Sequence, residues 1–301
     1  MWIVLAALAL ALCAVVFVNR EKTRLRLSYG PGEVTVTRDV VYVAGSNNPR
    51  HRLDVYAPKD ARGAPVVHFV HGGYWVEGGK DFYALATGLY GSIGMALAKR
   101  GIVTVVQSYR LSPEVGIEGI VDDVMAALRW TEEHASEHGG DPRRVFMMGH
   151  SAGGHLVALL GAEEALHRSR GMDPHAVRGY VALSAVWDVA GMHDAHGAEW
   201  NAKVTVPVFG ARPDQWAERS PLGLLRAGMQ PFLIVVGARD FPYMMPQAER
   251  ARDRLRELAS EARYVVIPNT DHAGIVLGFG AADDKVTAPV VDFVTQPPPR
   301  K

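Results

Sequence analysis

Ser151 sits in Gly149-His150-Ser151-Ala152-Gly153, with glycine on both flanks. A hydroxyl in that setting suits nucleophilic attack on a carbonyl carbon. The turn that projects it needs strained dihedrals and close backbone approach, which glycine permits by having no Cβ. The motif alone is weak evidence, because a chain with 31 glycines in 301 residues can produce it by chance. Such a serine needs a base, and of 12 histidines only His272 lies beyond His196. It follows the last strand-like run, in Asn269-Thr270-Asp271-His272-Ala273-Gly274. The chain order Ser, acid, His puts the acid after the preceding strand, where Gly237-Ala238-Arg239-Asp240 supplies Asp240. Asp240 would orient His272 and stabilise its imidazolium. Asp271 is a poorer acid, since it would have to fold back on its neighbour.

A tetrahedral oxyanion needs preorganised N–H donors. Ala152, the residue after the nucleophile, offers one, and His71-Gly72-Gly73 after an earlier strand offers those of Gly72 and Gly73. Gly78-Gly79-Lys80-Asp81 superficially suggests a phosphate loop. That reading fails because Tyr74 occupies the first required glycine position and Asp81 replaces Ser/Thr. Asp188, His193, Asp194 and His196 match no metal-ligand spacing, so no metal is expected. His150 and His155 read as packing or hydrogen-bonding residues. Asp122 and Asp123 near a helix start read as serving the helix dipole, and Glu249 and Asp253 as solvated. Trp75, Trp187, Trp200, Phe241 and Tyr243 are candidates for an apolar substrate pocket, with core burial the competing reading.

The elements that must position these groups follow from hydrophobic periodicity. Strands are expected at Val34–Val43, Arg52–Tyr56, Pro65–Val70, Ile102–Val106, Arg144–Met148, Val177–Leu183, Phe232–Val236 and Tyr264–Ile267. Helices are expected at Phe82–Lys99, Ile120–His138, Ala152–Gly161, Gln247–Leu258 and Asp283–Val294. Short apolar strands alternating with helices imply parallel βαβ units, with helices on both faces of a mostly parallel central sheet. Trp187 to Gln230 breaks the rhythm and reads as an irregular insertion of the lid or binding-loop kind.

Composition narrows the classes. Thirty-two basic residues balance 32 acidic ones, which argues against a nucleic-acid binder. The one cysteine, Cys13, excludes an intramolecular disulfide framework. Trp2–Val18 is uncharged and apolar on all faces, near the lower limit for a membrane span. A cleaved signal peptide fits less well, because no Lys or Arg precedes the run. Leu10-Ala11-Leu12-Cys13 resembles a lipobox only loosely. Arg20, Lys22, Arg24 and Arg26 follow the run, and the positive-inside rule then puts the remainder on the cytoplasmic side. The expected organisation is an N-terminal transmembrane anchor (1–19), a basic linker (20–33), an α/β domain (34–296) with an insertion (187–230), and a Pro-rich tail (297–301).

His71-Gly72-Gly73-Tyr74-Trp75, Tyr109-Arg110-Leu111-Ser112-Pro113-Glu114, Gly140-Asp141-Pro142 and Gly149-His150-Ser151-Ala152-Gly153-Gly154 resemble the hormone-sensitive-lipase-like side of the α/β-hydrolases. Within it, the chain is similar to feruloyl-esterase-like (BD-FAE) proteins, isoprenylcysteine methylesterases and kynurenine formamidases. The resemblance runs from about Val34 to Val294. It implies an α/β-hydrolase fold and hydrolysis of small-molecule carboxylic esters without a metal or organic cofactor. His71-Gly72-Gly73-Tyr74-Trp75 is especially like the formamidases, which makes N-formylkynurenine-type amides the alternative substrate. An anchor is more like the isoprenylcysteine methylesterases. A third reading is a catalytically silent, membrane-tethered binding protein.

Overall fold

The computed structural model describes residues 33–81 and 89–296. Eight strands form one sheet: β1 (Val34–Val41), β2 (Arg52–Pro58), β3 (Ala64–Val70), β4 (Val103–Gln107), β5 (Gly140–His150), β6 (Val177–Leu183), β7 (Phe232–Gly237) and β8 (Ala262–Ile267). Their order is β1-β2-β4-β3-β5-β6-β7-β8. The β1–β2 and β2–β4 pairs are antiparallel, and every other pair is parallel. Strands β3, β4 and β7 are buried along their whole length, as strands covered on both faces must be.

Period-2 alternation divides the apolar side chains between two cores. Val66, Val70, Val145, Met147, Ala182 and Ile234 point into one. There they meet helices α2 (Ile117–His134) and α3 (Ala152–Ala162), the latter fully buried. Val67, Phe69, Phe146, Met148, Leu183 and Val235 point into the other. That face is closed by α1 (Leu89–Ala98), a short helix at His272–Leu277 and a C-terminal one at Thr287–Thr295.

Most expected elements are present with shifted ends. The α2 helix begins three residues early, and its expected last turn is a separate 3-10 turn, Ala135–His138. The insertion is more regular than expected: it holds no strand but winds five helices of four to six residues. These are Val189–Asp194, Ala198–Lys203, Thr205–Phe209, Pro213–Glu218 and Pro221–Leu224. Each is too short to show a helical period in the sequence. The segment is fastened by the buried Gln247, whose Oε1 accepts the N–H groups of Trp187 (2.8 Å) and Asp188 (3.0 Å), while its Nε2 donates to the Asp188 carbonyl (3.0 Å).

Among the described residues no helix is long and apolar enough to cross a membrane. The expected anchor at 1–19, residues 20–32 of the basic linker, and the Pro-rich tail lie outside the described residues.

Candidate active site

Because strands β3, β5, β6, β7 and β8 run parallel, the segments leaving their carboxyl ends converge on one edge of the sheet, where open α/β sheets bind ligands. Those segments begin with His71, Ser151, Ser184, Ala238 and Pro268. Ser151 joins β5 directly to α3 with φ 57° and ψ −119°, a conformation that is strained for a residue with a side chain. Its N–H donates to the Leu183 carbonyl at 2.9 Å. The turn leaves no room beside it: a Cβ on Gly153 would stand 2.1 Å from the Val70 carbonyl oxygen. The elbow exists because residues 149 and 153 carry no side chain.

Asp240 and His272 meet across two loops. His272 Nδ1–H donates to Asp240 Oδ1 at 2.7 Å, which leaves Nε2 as the basic nitrogen. The carboxylate is nearly sealed, with 1% side-chain exposure. It accepts further hydrogen bonds from the Phe241 N–H (2.8 Å) and from the Ser184 hydroxyl. Burial works to raise the Asp240 pKa, but the bonds from His272, Ser184 and Phe241 outweigh it and hold the carboxyl below its usual value. Asp271 is spent elsewhere, capping the helix that starts at His272 by accepting the Gly274 N–H at 2.8 Å.

The loop after β3 is held from both sides. Tyr109 stacks on the His71 ring (centroids 4.1 Å apart), and its hydroxyl donates to the His71 carbonyl at 3.1 Å. Ser112 N–H donates to the Trp75 carbonyl at 2.9 Å. Gly73 takes φ +116°, and a Cβ there would lie 2.2 Å from the Glu77 carbonyl oxygen. The three expected oxyanion donors are not equivalent. Gly72 packs against Ser151, but its N–H already donates to the Tyr90 hydroxyl at 3.2 Å. The N–H groups of Gly73 and Ala152 have no partner among the described residues.

The five pocket aromatics separate. Trp75 and Trp187 are fully buried in the core, Trp75 edge-on to His155 and Phe209, and Trp187 against Phe232. With no exposed surface, both take the core reading. Phe241, Tyr243 and Trp200 form a partly exposed wall. Phe241 lies 4.5 Å from the His272 ring and 6.1 Å from Tyr243, and Tyr243 leads through His196 (5.5 Å) to Trp200 (3.7 Å further). Tyr74, which sequence reasoning passed over, closes the row edge-on to Trp200 at 5.5 Å. The Tyr243 hydroxyl is buried without a hydrogen-bond partner among the described residues.

One further expectation changes. Asp123 does not serve a helix dipole. It is buried, carries the Arg110 guanidinium and accepts the Arg110 N–H at 2.8 Å, fixing the segment that braces His71. His193 and His196 stack on Trp216 and Trp200. Lys80, in the discarded phosphate-loop sequence, is clamped among Asp39, Asp54 and Asp81.

The family model for BD-FAE proteins matches residues 53–255, about two thirds of the chain, including the elbow, the β3 loop and Asp240. The chain belongs to the BD-FAE family. It is 27% identical over 256 residues to a probable isoprenylcysteine alpha-carbonyl methylesterase of Arabidopsis thaliana, covering 80% of this chain and 52% of that protein. It is 28% identical over 270 residues to esterase LipC of Mycobacterium tuberculosis, covering 85% and 63%. This BD-FAE chain thus spans about half the length of the curated relatives it matches. Among solved structures, Esterase B from Lactobacillus rhamnosis superposes with a TM-score of 0.74 at 20% identity, covering 97% of this chain and 95% of that one. A truncated carbohydrate esterase from gut microbiota gives 0.73 at 22%, covering 89% and 98%. Both establish the α/β-hydrolase fold.

Proposed function

We propose that the protein is a serine carboxylesterase that cleaves small-molecule esters through an acyl-enzyme on Ser151. The observation that carries this is the Asp240–His272 hydrogen bond set beside a strained strand-to-helix serine. Neutral His272 takes the Ser151 proton on Nε2 as Oγ attacks the ester carbonyl, and Asp240 stabilises the imidazolium that forms. The N–H groups of Gly73 and Ala152 receive the oxyanion, while Gly72 shapes the loop. The tetrahedral intermediate collapses, His272 protonates the leaving alkoxide, and water repeats the sequence on the acyl-enzyme. Nothing in these steps requires a metal or an organic cofactor.

The relatives named above as a methylesterase and an esterase support an ester over an amide substrate. A panel of p-nitrophenyl esters of increasing acyl length, run beside N-formylkynurenine, tests this directly. Ester hydrolysis that disappears in Ser151→Ala is expected. Preferential hydrolysis of N-formylkynurenine would replace the ester by the formamide.

We also propose that Trp2–Val18 tethers the enzyme to a membrane with the catalytic domain on the cytoplasmic side, on the strength of the uncharged run and the basic residues that follow it. Digestion of the domain by protease added to intact spheroplasts would reverse that orientation.

A further inference from the structure

His150, the residue before the nucleophile, is buried, yet the steps above do not use it. Its ring lies between the two halves of the site. Nε2–H donates to the main-chain carbonyl of His272 at 3.0 Å, and the His150 and His272 rings are 4.6 Å apart. Nδ1 is buried without a partner among the described residues and lies against Gly72. One side chain of the elbow therefore touches both the loop that carries the base and the loop that carries the oxyanion donors. Asp240 and Ser184 fix the imidazole of His272 from the far side, through Nδ1.

We propose that His150 is a positioning residue, whose Nε2–H to the His272 carbonyl sets the distance between the base and the Ser151 turn. The assignment rests on the serine-hydrolase reading of the site. Burial pushes the His150 pKa down to about 3, with the His272 ring acting in the same direction and the bond to the His272 carbonyl opposing it. The ring is therefore neutral at working pH, with one donor and one acceptor nitrogen. A fixed donor on a rigid turn suits the task, because a misplacement of about 1 Å in a catalytic base can cost about a hundredfold in rate.

The test compares the full 301-residue chain as wild type, His150→Gln, His150→Leu and Ser151→Ala. Glutamine can place an amide donor near the Nε2 position, and leucine cannot donate. His150→Leu is expected to lower kcat on p-nitrophenyl butyrate about 10- to 100-fold with KM within about threefold. His150→Gln should recover to within about fivefold of wild type. The downfield proton resonance of the His272 Nδ1–H···Asp240 bond should broaden or vanish in His150→Leu and persist in His150→Gln. If His150→Leu fails to fold, His150→Asn, whose amide is too short to reach the carbonyl, is read in its place. Wild-type kcat in His150→Leu, or equal losses in both variants with an unchanged His272 resonance, would overturn the assignment. If the wild type is inert and Ser151 takes no phosphonate, the esterase reading fails instead, and the resonance alone decides the role of His150.

Discussion

Asp240 keeps its charge where burial opposes it, because three donors converge on two oxygens. Ser184 is the dispensable member of that set. Its hydroxyl touches no reacting atom, yet a bond to an ionised acceptor is worth about 1.5–3 kcal/mol. Ser184→Ala should lower kcat about tenfold with little change in KM, and Asp240→Asn should lower it by about 10⁴ through the wrong His272 tautomer. Steady-state kinetics of both variants check the ranking, and equal losses would mean that Ser184 does more than hold the carboxylate. Ser151, Asp240 and His272 could be chosen from the sequence because chain order in this fold is fixed and the choices were few. Ser184 could not, since a serine ending a strand carries no signal until β6 and β7 are paired. The commitment of the Gly72 N–H to Tyr90 was equally hidden, because it depends on how α1 docks rather than on any motif.

At the scale of elements, Gln247 joins the insertion to the sheet domain. Removing its side chain leaves the N–H groups of Trp187 and Asp188 buried without their acceptor. Gln247→Ala should cost about 2–6 kcal/mol, on the basis of about 1–3 kcal/mol for each of the two stranded donors. Limited proteolysis should show cuts between residues 188 and 230 before the sheet domain is degraded. Unchanged denaturation and cleavage would mean that the insertion is held by its apolar contacts instead. Strands β3, β4 and β7 were legible to within about one residue at each end, since they are short, predominantly apolar runs buried on both faces. The insertion was not. Its helices are shorter than two turns and are held by aromatic stacking, His193 on Trp216 and His196 on Trp200. The same stacking gives His193 and His196 a packing role. Which of Trp75, Trp187, Trp200, Phe241 and Tyr243 fill the core was not legible, because an indole's or phenyl ring's burial depends on what lies above it, which the sequence does not display.

Across the whole molecule, acid sensitivity follows from histidines kept neutral by burial. His68 and His155 are pushed down to about 4, and His71 and His150 to about 3. Each would titrate near 6.5 in the unfolded chain. Between about pH 4 and pH 6.5 the unfolded state therefore binds more protons, and stability falls as pH falls. At about pH 5 unfolding should take up close to four protons from these rings alone. Urea denaturation from pH 4.5 to 8 should show a steep loss below pH 6.5 and little change above it, whereas a flat profile would place some of these rings in contact with water. All four rings are buried and spread over several elements of the fold, so acid should act on it as a whole.

The central claim is that Ser151 is the nucleophile, held by the elbow and served by His272. Incubation with a fluorophosphonate, followed by peptide mass analysis, tests it most directly. The account predicts one phosphonyl group per chain, located on the peptide that contains Ser151, with hydrolysis lost in step with labelling and no adduct in Ser151→Ala. An adduct at another residue, or a Ser151→Ala variant that still cleaves p-nitrophenyl esters at the wild-type rate, would contradict it.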